Sequence, residues 1–130
     1  MFFEDVLFPV SDIKLFDSKN GLKYGNMFSN EYVGYKNYKE SDIIPTTKKG
    51  ELLLKIYEYD FALNDLSLFL DLHPDDQSTY ELFRKYTNEE KMLVDVYEKN
   101  YGPLELCDSD YDSYMWYMGP WTWTKEGSNV

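Results

Sequence analysis

The sequence predicts an all-α fold: an antiparallel two-helix hairpin with irregular, aromatic-rich segments before and after it. Three observations carry that expectation. Apolar residues recur at helical spacing only between Thr47 and Tyr101. A break at His73-Pro74 cuts this stretch into halves of similar length. Outside it no period persists beyond a few residues, and turn formers are frequent. With 130 residues, there is room for one domain. It divides into an irregular segment 1–46, a helical segment 47–101 and an acidic, Trp/Tyr-rich tail 102–130.

Segment 1–46 holds 7 acidic and 5 basic residues. Its apolar residues form short clusters, Val6-Leu7-Phe8, Leu15-Phe16 and Met27-Phe28. Pro9, Asn20-Gly21, Gly25-Asn26, Gly34 and Pro45 punctuate them. The expected form is extended or irregular, with one helical turn near Gly21 to Phe28, and largely disordered when isolated.

In segment 47–101, Thr47 is the expected N-cap of the first helix. Leu52, Ile56, Tyr59, Leu63, Leu66 and Leu70 follow at spacings of 4, 3, 4, 3 and 4, a heptad seam. Leu54, Phe61 and Leu68 add a second apolar line, and Ala62 and Phe69 widen the face. Asp60, Asn64, Ser67 and Asp71 make the opposite, polar line. Pro74 at the first helical position, with Asp75 and Asp76 after it, predicts the start of a second helix. That helix carries Leu82, Phe83, Tyr86, Leu93, Val96 and Tyr97, and Gly102-Pro103 ends it. The short link between the helices forces a tight reversal. Each helix should have about 25 residues and a length of about 37 Å. One partner helix cannot cover so wide a face. The flanking segments, a second copy or another protein must cover the rest.

The tail begins with Leu104-Glu105-Leu106-Cys107 and an acidic spacer, Asp108 to Asp112. All three tryptophans then fall within eight residues, Trp116 to Trp123. Gly119-Pro120 breaks any helix there.

Composition narrows the function. Asp and Glu number 24 against 13 Lys and Arg, a net charge of −11. Such a chain repels phosphate, and no basic cluster offsets this, so nucleic acid is not an expected partner. No run of 18 apolar residues exists to span a membrane. The acidic start, Glu4-Asp5, does not suit a secretory signal. The single cysteine, Cys107, forms neither an internal disulfide nor a structural zinc site. A reducing compartment is expected. Aromatic residues make up 18% of the chain, 13 of them Tyr. Codon bias toward A and T inflates Tyr and Phe but not Trp. Tyr and Trp suit interfaces, with large contact area and a polar handle.

Catalytic chemistry finds little support. His73 reads as a cap or turn residue, with no partner nucleophile or carboxylate named by the sequence. Asp75 and Asp76 are explained by a helix start. Asp60 and Asp71 share a face but sit three turns apart. Glu89-Glu90 lacks the Glu-x-x-His pattern of carboxylate-bridged metal bundles. Acidic neighbours raise the thiol pKa of Cys107 and blunt its nucleophilicity. Gly21 and Gly25 lack the Lys of a phosphate loop. No enzyme activity, cofactor or metal is expected.

The motifs nevertheless have a family likeness. Asp60-Phe61-Ala62-Leu63 and Leu66-x-Leu68-Phe69-Leu70-Asp71-x-His73-Pro74-x-Asp76 resemble the CotJB family of spore coat proteins, with its DFAL and L-x-LYLDTHP stretches. Tyr101-Gly102-Pro103-Leu104 resembles its YGPL, and Trp116-x-x-Gly119-Pro120-Trp121-Thr122-Trp123 its terminal W-x-x-GPWPW. Phe69, Leu72 and Thr122 depart from the usual Tyr, Thr and Pro. About 46 residues precede this region, where family chains begin close to the first helix. Among them, the stretch from Gly21 to Tyr32 is similar to CotJA, a short companion coat protein. Asn26 and Ser29 replace its usual Thr and Pro, and its Pro-rich start is missing.

The resemblance implies a non-catalytic component of the endospore coat, made in the mother-cell cytoplasm and not secreted. It implies association with other coat proteins, above all a CotJC-like protein that resembles manganese catalases and would hold any manganese itself. A homo-oligomer is a further candidate assembly. From their residue types, Phe61, Leu68, Phe69, Trp116, Tyr117, Trp121 and Trp123 are the expected partner-binding residues. The tail can equally fold back to cap the first helix. The alternative function is an acidic inhibitor or nucleic-acid mimic that occupies a basic site on a target. A mimic needs carboxylates in regular rows, and here they are scattered.

Overall fold

Three polar side chains set where the helices begin. The computed structural model describes residues 13–109, 112–119 and 121. Helix α1 runs Ser18–Tyr24, α2 Lys48–Leu72 and α3 Gln77–Tyr101. Before α1, the Asp17 carboxylate accepts the Asn20 amide at 2.8 Å. Before α2, the Thr47 hydroxyl accepts the Gly50 amide at 2.9 Å. Before α3, the Asp76 carboxylate accepts the Thr79 amide at 3.2 Å. Each satisfies an amide that the first helical turn leaves without a partner.

The ends are equally local. Gly25 takes the left-handed conformation, φ 70°, and closes α1. His73 caps α2, its amide donating to the Phe69 carbonyl at 2.9 Å. Gly102, φ 102°, ends α3. Short 3₁₀ turns follow at Leu106–Asp108 and Trp116–Met118, and another lies at Ser29–Glu31. The described residues contain no strand, only an isolated antiparallel bridge between Leu15 and Phe28.

The two long helices have 25 residues each and pack together. The early turns of α2 meet the late turns of α3, where Leu53, Ile56 and Tyr97 form one buried cluster with Leu93 and Leu104 at its edge. Further along, the rings of Tyr59 and Tyr86 stand 5.1 Å apart. The second cluster joins Ala62, Leu66 and Phe69 of α2, Tyr86 of α3, and Met27 and Phe28 from the N-terminal segment.

That N-terminal contribution differs from the expected irregular segment. α1 is two turns long, begins at Ser18 rather than near Gly21, and packs on α2. Asp17 and Gly25, a cap at each end, account for it. After α1 the chain folds back: the Phe16 amide donates to the Met27 carbonyl at 2.8 Å and the Ser29 amide to Lys14 at 2.9 Å. The Met27 amide donates to the Asp65 carboxylate of α2 at 2.8 Å. Met27 is fully buried and lies against Gly21, where any side chain would collide with its sulfur. Phe16, Tyr24 and Tyr32 gather their rings beside this loop.

Other expectations need adjustment. Pro74 is not the first residue of α3. It lies with Asp75 in a turn closed by the Asp76 amide on the His73 carbonyl at 3.1 Å, and Asp76 is the cap. Ile56 and Leu66 of the expected seam are buried, but Leu52, Tyr59, Leu63 and Leu70 are only partly so. Leu53, outside the expected seam, is buried beside Tyr97. Val96 is exposed, because the buried face of α3 runs through Thr79, Tyr86 and Tyr97.

Two outcomes follow from this packing. Leu66 is completely buried between both clusters' helices and the N-terminal segment. Leu66→Ala should cost about 2–5 kcal/mol in urea denaturation; an unchanged midpoint would show that this core does not form. Tyr59 has its hydroxyl pKa pushed up to about 12, first by its hydrogen bond to Glu89 and then by burial. The neutral phenol is therefore favoured by folding, and its contribution is complete below the ordinary tyrosine pKa near 10. It is lost as the pH rises from there to about 12. The melting temperature should fall over that range, and the fall should be smaller in Tyr59→Phe.

Candidate partner-docking surface

The tail leaves α3 at Gly102 with its backbone no longer helical. The Leu104 amide still donates to the Glu98 carboxylate at 3.4 Å, and Leu104 packs at the edge of the Leu53 cluster. Beyond it, little of the described tail is buried. The 3₁₀ turn Trp116–Met118 stops at Gly119, whose φ is 75° and ψ −158°. A Cβ at that position would come within 3.0 Å of the Trp121 backbone nitrogen, so the turn requires glycine. Tyr114 and Tyr117 stack on each other with centroids 6.2 Å apart. Their other faces meet solvent: Tyr114 is 63% exposed, Tyr117 62% and Met118 61%.

The expected partner-binding residues fall into three groups. Trp116, Tyr117 and Trp121 flank the Gly119 turn; Trp116 is half-buried, and Tyr117 and Trp121 are exposed. Trp123 lies outside the described residues. On α2, Leu68 is exposed, while Phe61 is half-buried against the core. Phe69 stands inside the molecule and is not offered to a partner. Its ring is 5.2 Å from that of Phe28 and 4.4 Å from that of His73. The fold of residues 26–28 onto α2 covers it, a long-range contact that helical spacing does not reveal.

Sequence reasoning passed over other exposed residues. Tyr57 and Leu72 extend the Leu68 side of α2, and Met115 and Met118 extend the tail surface. The i, i+11, i+15 spacing of Tyr57, Leu68 and Leu72 was the available signal.

Titratable groups have structural partners. His73 is buried at the end of α2 and stacks on Phe69. Glu89 accepts the Tyr59 hydroxyl, and the Glu90 carboxyl is raised by burial and then by the charge of Asp60. Burial likewise raises Glu58, beside a shallow groove that Leu22, Ile43 and Leu54 line. The Cys107 thiol is exposed and donates to Glu105 at 3.4 Å. Among the described residues, no three His, Cys, Asp or Glu side chains are grouped to hold a metal ion, and no helix is long and apolar enough to cross a membrane.

Comparison with known proteins agrees with the motif reading. The family model described as CotJB protein matches residues 50–124, from the first turn of α2 to the tryptophan-rich tail. No curated protein and no solved structure matched the chain. The match spans more than half of the sequence, including both long helices and the Gly119 turn, and on that ground the chain belongs to the CotJB family of spore coat proteins.

Proposed function

We propose that the protein is a non-catalytic assembly component of the endospore coat that docks, through its C-terminal aromatic run, on a CotJC-like protein of the manganese-catalase type. In this reading segment 47–101 is an antiparallel helical hairpin and serves as the rigid base. Residues 102–130 are the docking tail, and residues 1–46 are a CotJA-like extension. Any manganese belongs to the partner.

One observation carries the reading. Tyr114, Tyr117 and Met118 are all more than half exposed, next to a turn that only glycine allows. Large rings held in a defined turn and left in water suit an interface, where Trp and Tyr supply most of the energy at about 2 kcal/mol or more each. The stacked pair of tyrosines and the fixed turn lower the ordering cost of docking.

Removing Tyr114 to Val130 should leave the melting temperature nearly unchanged and abolish pulldown of the CotJC-like protein. A tail that instead caps the helices would show itself as unfolding or aggregation of the truncated chain. The point variant Tyr117→Ala with Trp121→Ala keeps the chain length and should also lose the partner; full binding by this variant removes docking through the tail. Elemental analysis of the isolated chain should find no stoichiometric manganese, and finding it would move the metal from the partner to this protein.

A further inference from the structure

Two surfaces of this chain are uncovered and complementary to each other. The first lies on α2, away from α3. Leu68 is 58% exposed, and Tyr57 and Leu72 are also exposed. The three lie within about 60° of one another around the helix axis, as their spacing dictates. Asp60 and Asp71, both exposed, run beside them on the same outward side. Asp60 also raises the Glu90 carboxyl of α3, so this edge of the helix pair gathers negative charge.

The second surface is the turn after the Ser29–Glu31 3₁₀ helix. Val33 is 87% exposed, Tyr35 80% and Tyr38 62%. The Tyr38 amide donates to the Tyr35 carbonyl at 3.2 Å, and Asn37 takes φ 60°. This tight turn presents both tyrosines, with Lys36 and Lys39 exposed among them. From Val33 to Lys39 there are two lysines and no carboxylate. Both flanks of the turn are anchored. Tyr32 packs 5.0 Å from Tyr24, and Asp42 pairs with Lys23 at 3.0 Å.

We propose that the Val33–Lys39 turn of one copy docks on the Tyr57–Leu68–Leu72 stripe of a second copy, with Lys36 and Lys39 facing Asp60 and Asp71. Charge selects this pairing. A chain of net charge −11 repels its own copies over most of its surface, and here a cationic apolar element meets an anionic apolar one. The contact is heterologous, since turn and stripe are different parts of the chain. Each copy thus has one donor surface and one acceptor surface for its neighbours. This association requires no other coat protein.

Sedimentation velocity on the full chain over a range of concentrations at low salt tests it. The wild-type chain should associate. Two charge-reversed variants separate the surfaces: Lys36→Glu with Lys39→Glu, and Asp60→Lys with Asp71→Lys. All four residues are exposed, and far-ultraviolet circular dichroism checks that the helices persist. Each variant alone should associate at least about tenfold more weakly, as expected when facing charges become alike. An equimolar mixture of the two should recover association, because opposite charges then face each other between the variants. A single chain carrying all four reversals should recover it as well. A wild-type chain that stays monomeric into the millimolar range overturns the proposal. So does association that neither reversal weakens, or a loss that neither the mixture nor the fourfold variant restores.

Discussion

The Asp65 carboxylate and the Met27 amide, 2.8 Å apart and 38 residues distant in sequence, join the N-terminal segment to the helical pair. A half-buried amide left without an acceptor costs about 1–3 kcal/mol, so the bond fixes where the returning chain must lie. With Met27 placed, Phe28 reaches Phe69, and Phe69 in turn stacks on His73 at the end of α2. The close approach of Met27 to Gly21 then seats α1. α2 is thereby packed on two sides, by α3 and by residues from the N-terminal segment. This answers how so wide an apolar helix face is covered: part of the cover comes from within the same chain.

What remains uncovered is informative for the same reason. With Ala62, Leu66 and Phe69 buried, many large apolar side chains among the described residues still meet water. Some are scattered, such as Ile43, Ile44, Met92 and Val96, and others are grouped on the outward side of α2, in the turn around Asn37 and in the tail around Gly119. Grouped exposed rings on a negatively charged body are the kind of surface that suits protein–protein contacts. Repulsion at net charge −11 opposes indiscriminate association, while short-range apolar contacts act where charges permit approach.

Much of this was legible in the residues. Helix length, the Thr47 cap and the stop at Gly102 depend on neighbours within one or two turns, and the sequence pattern carries them. Pro74 misled because Asp76 offers a better cap. A carboxylate that accepts the Thr79 amide outweighs the fixed φ of proline, and Pro74 serves the turn instead. The start of α1 at Ser18 had a signal in Asp17, four residues before Gly21, but Asn20-Gly21 reads as a turn and hides it. The burial of Phe69 had no local signal, since it depends on Phe28 arriving from 41 positions earlier. Of the candidate docking surface, the tail tryptophans stood out by composition, whereas the spacing of Tyr57, Leu68 and Leu72 puts them on one helix face but does not tell that this face stays exposed, which depends on where α1 and α3 pack.

The Met27–Gly21 contact also sets how the protein meets oxidants. Methionine oxidation follows solvent access and turns a flexible thioether into a polar sulfoxide. Met92 and Met118 are largely exposed, whereas Met27 is fully buried. Peroxide therefore reaches the surface sulfurs first, where an added oxygen disturbs no packing. The Met27 sulfur instead fills the space that a side chain on Gly21 would take, in the closed interior of the fold. Damage there must await a local opening of the N-terminal segment, so sulfoxide at Met27 would record that opening, and sulfoxide at Met92 would record exposure alone.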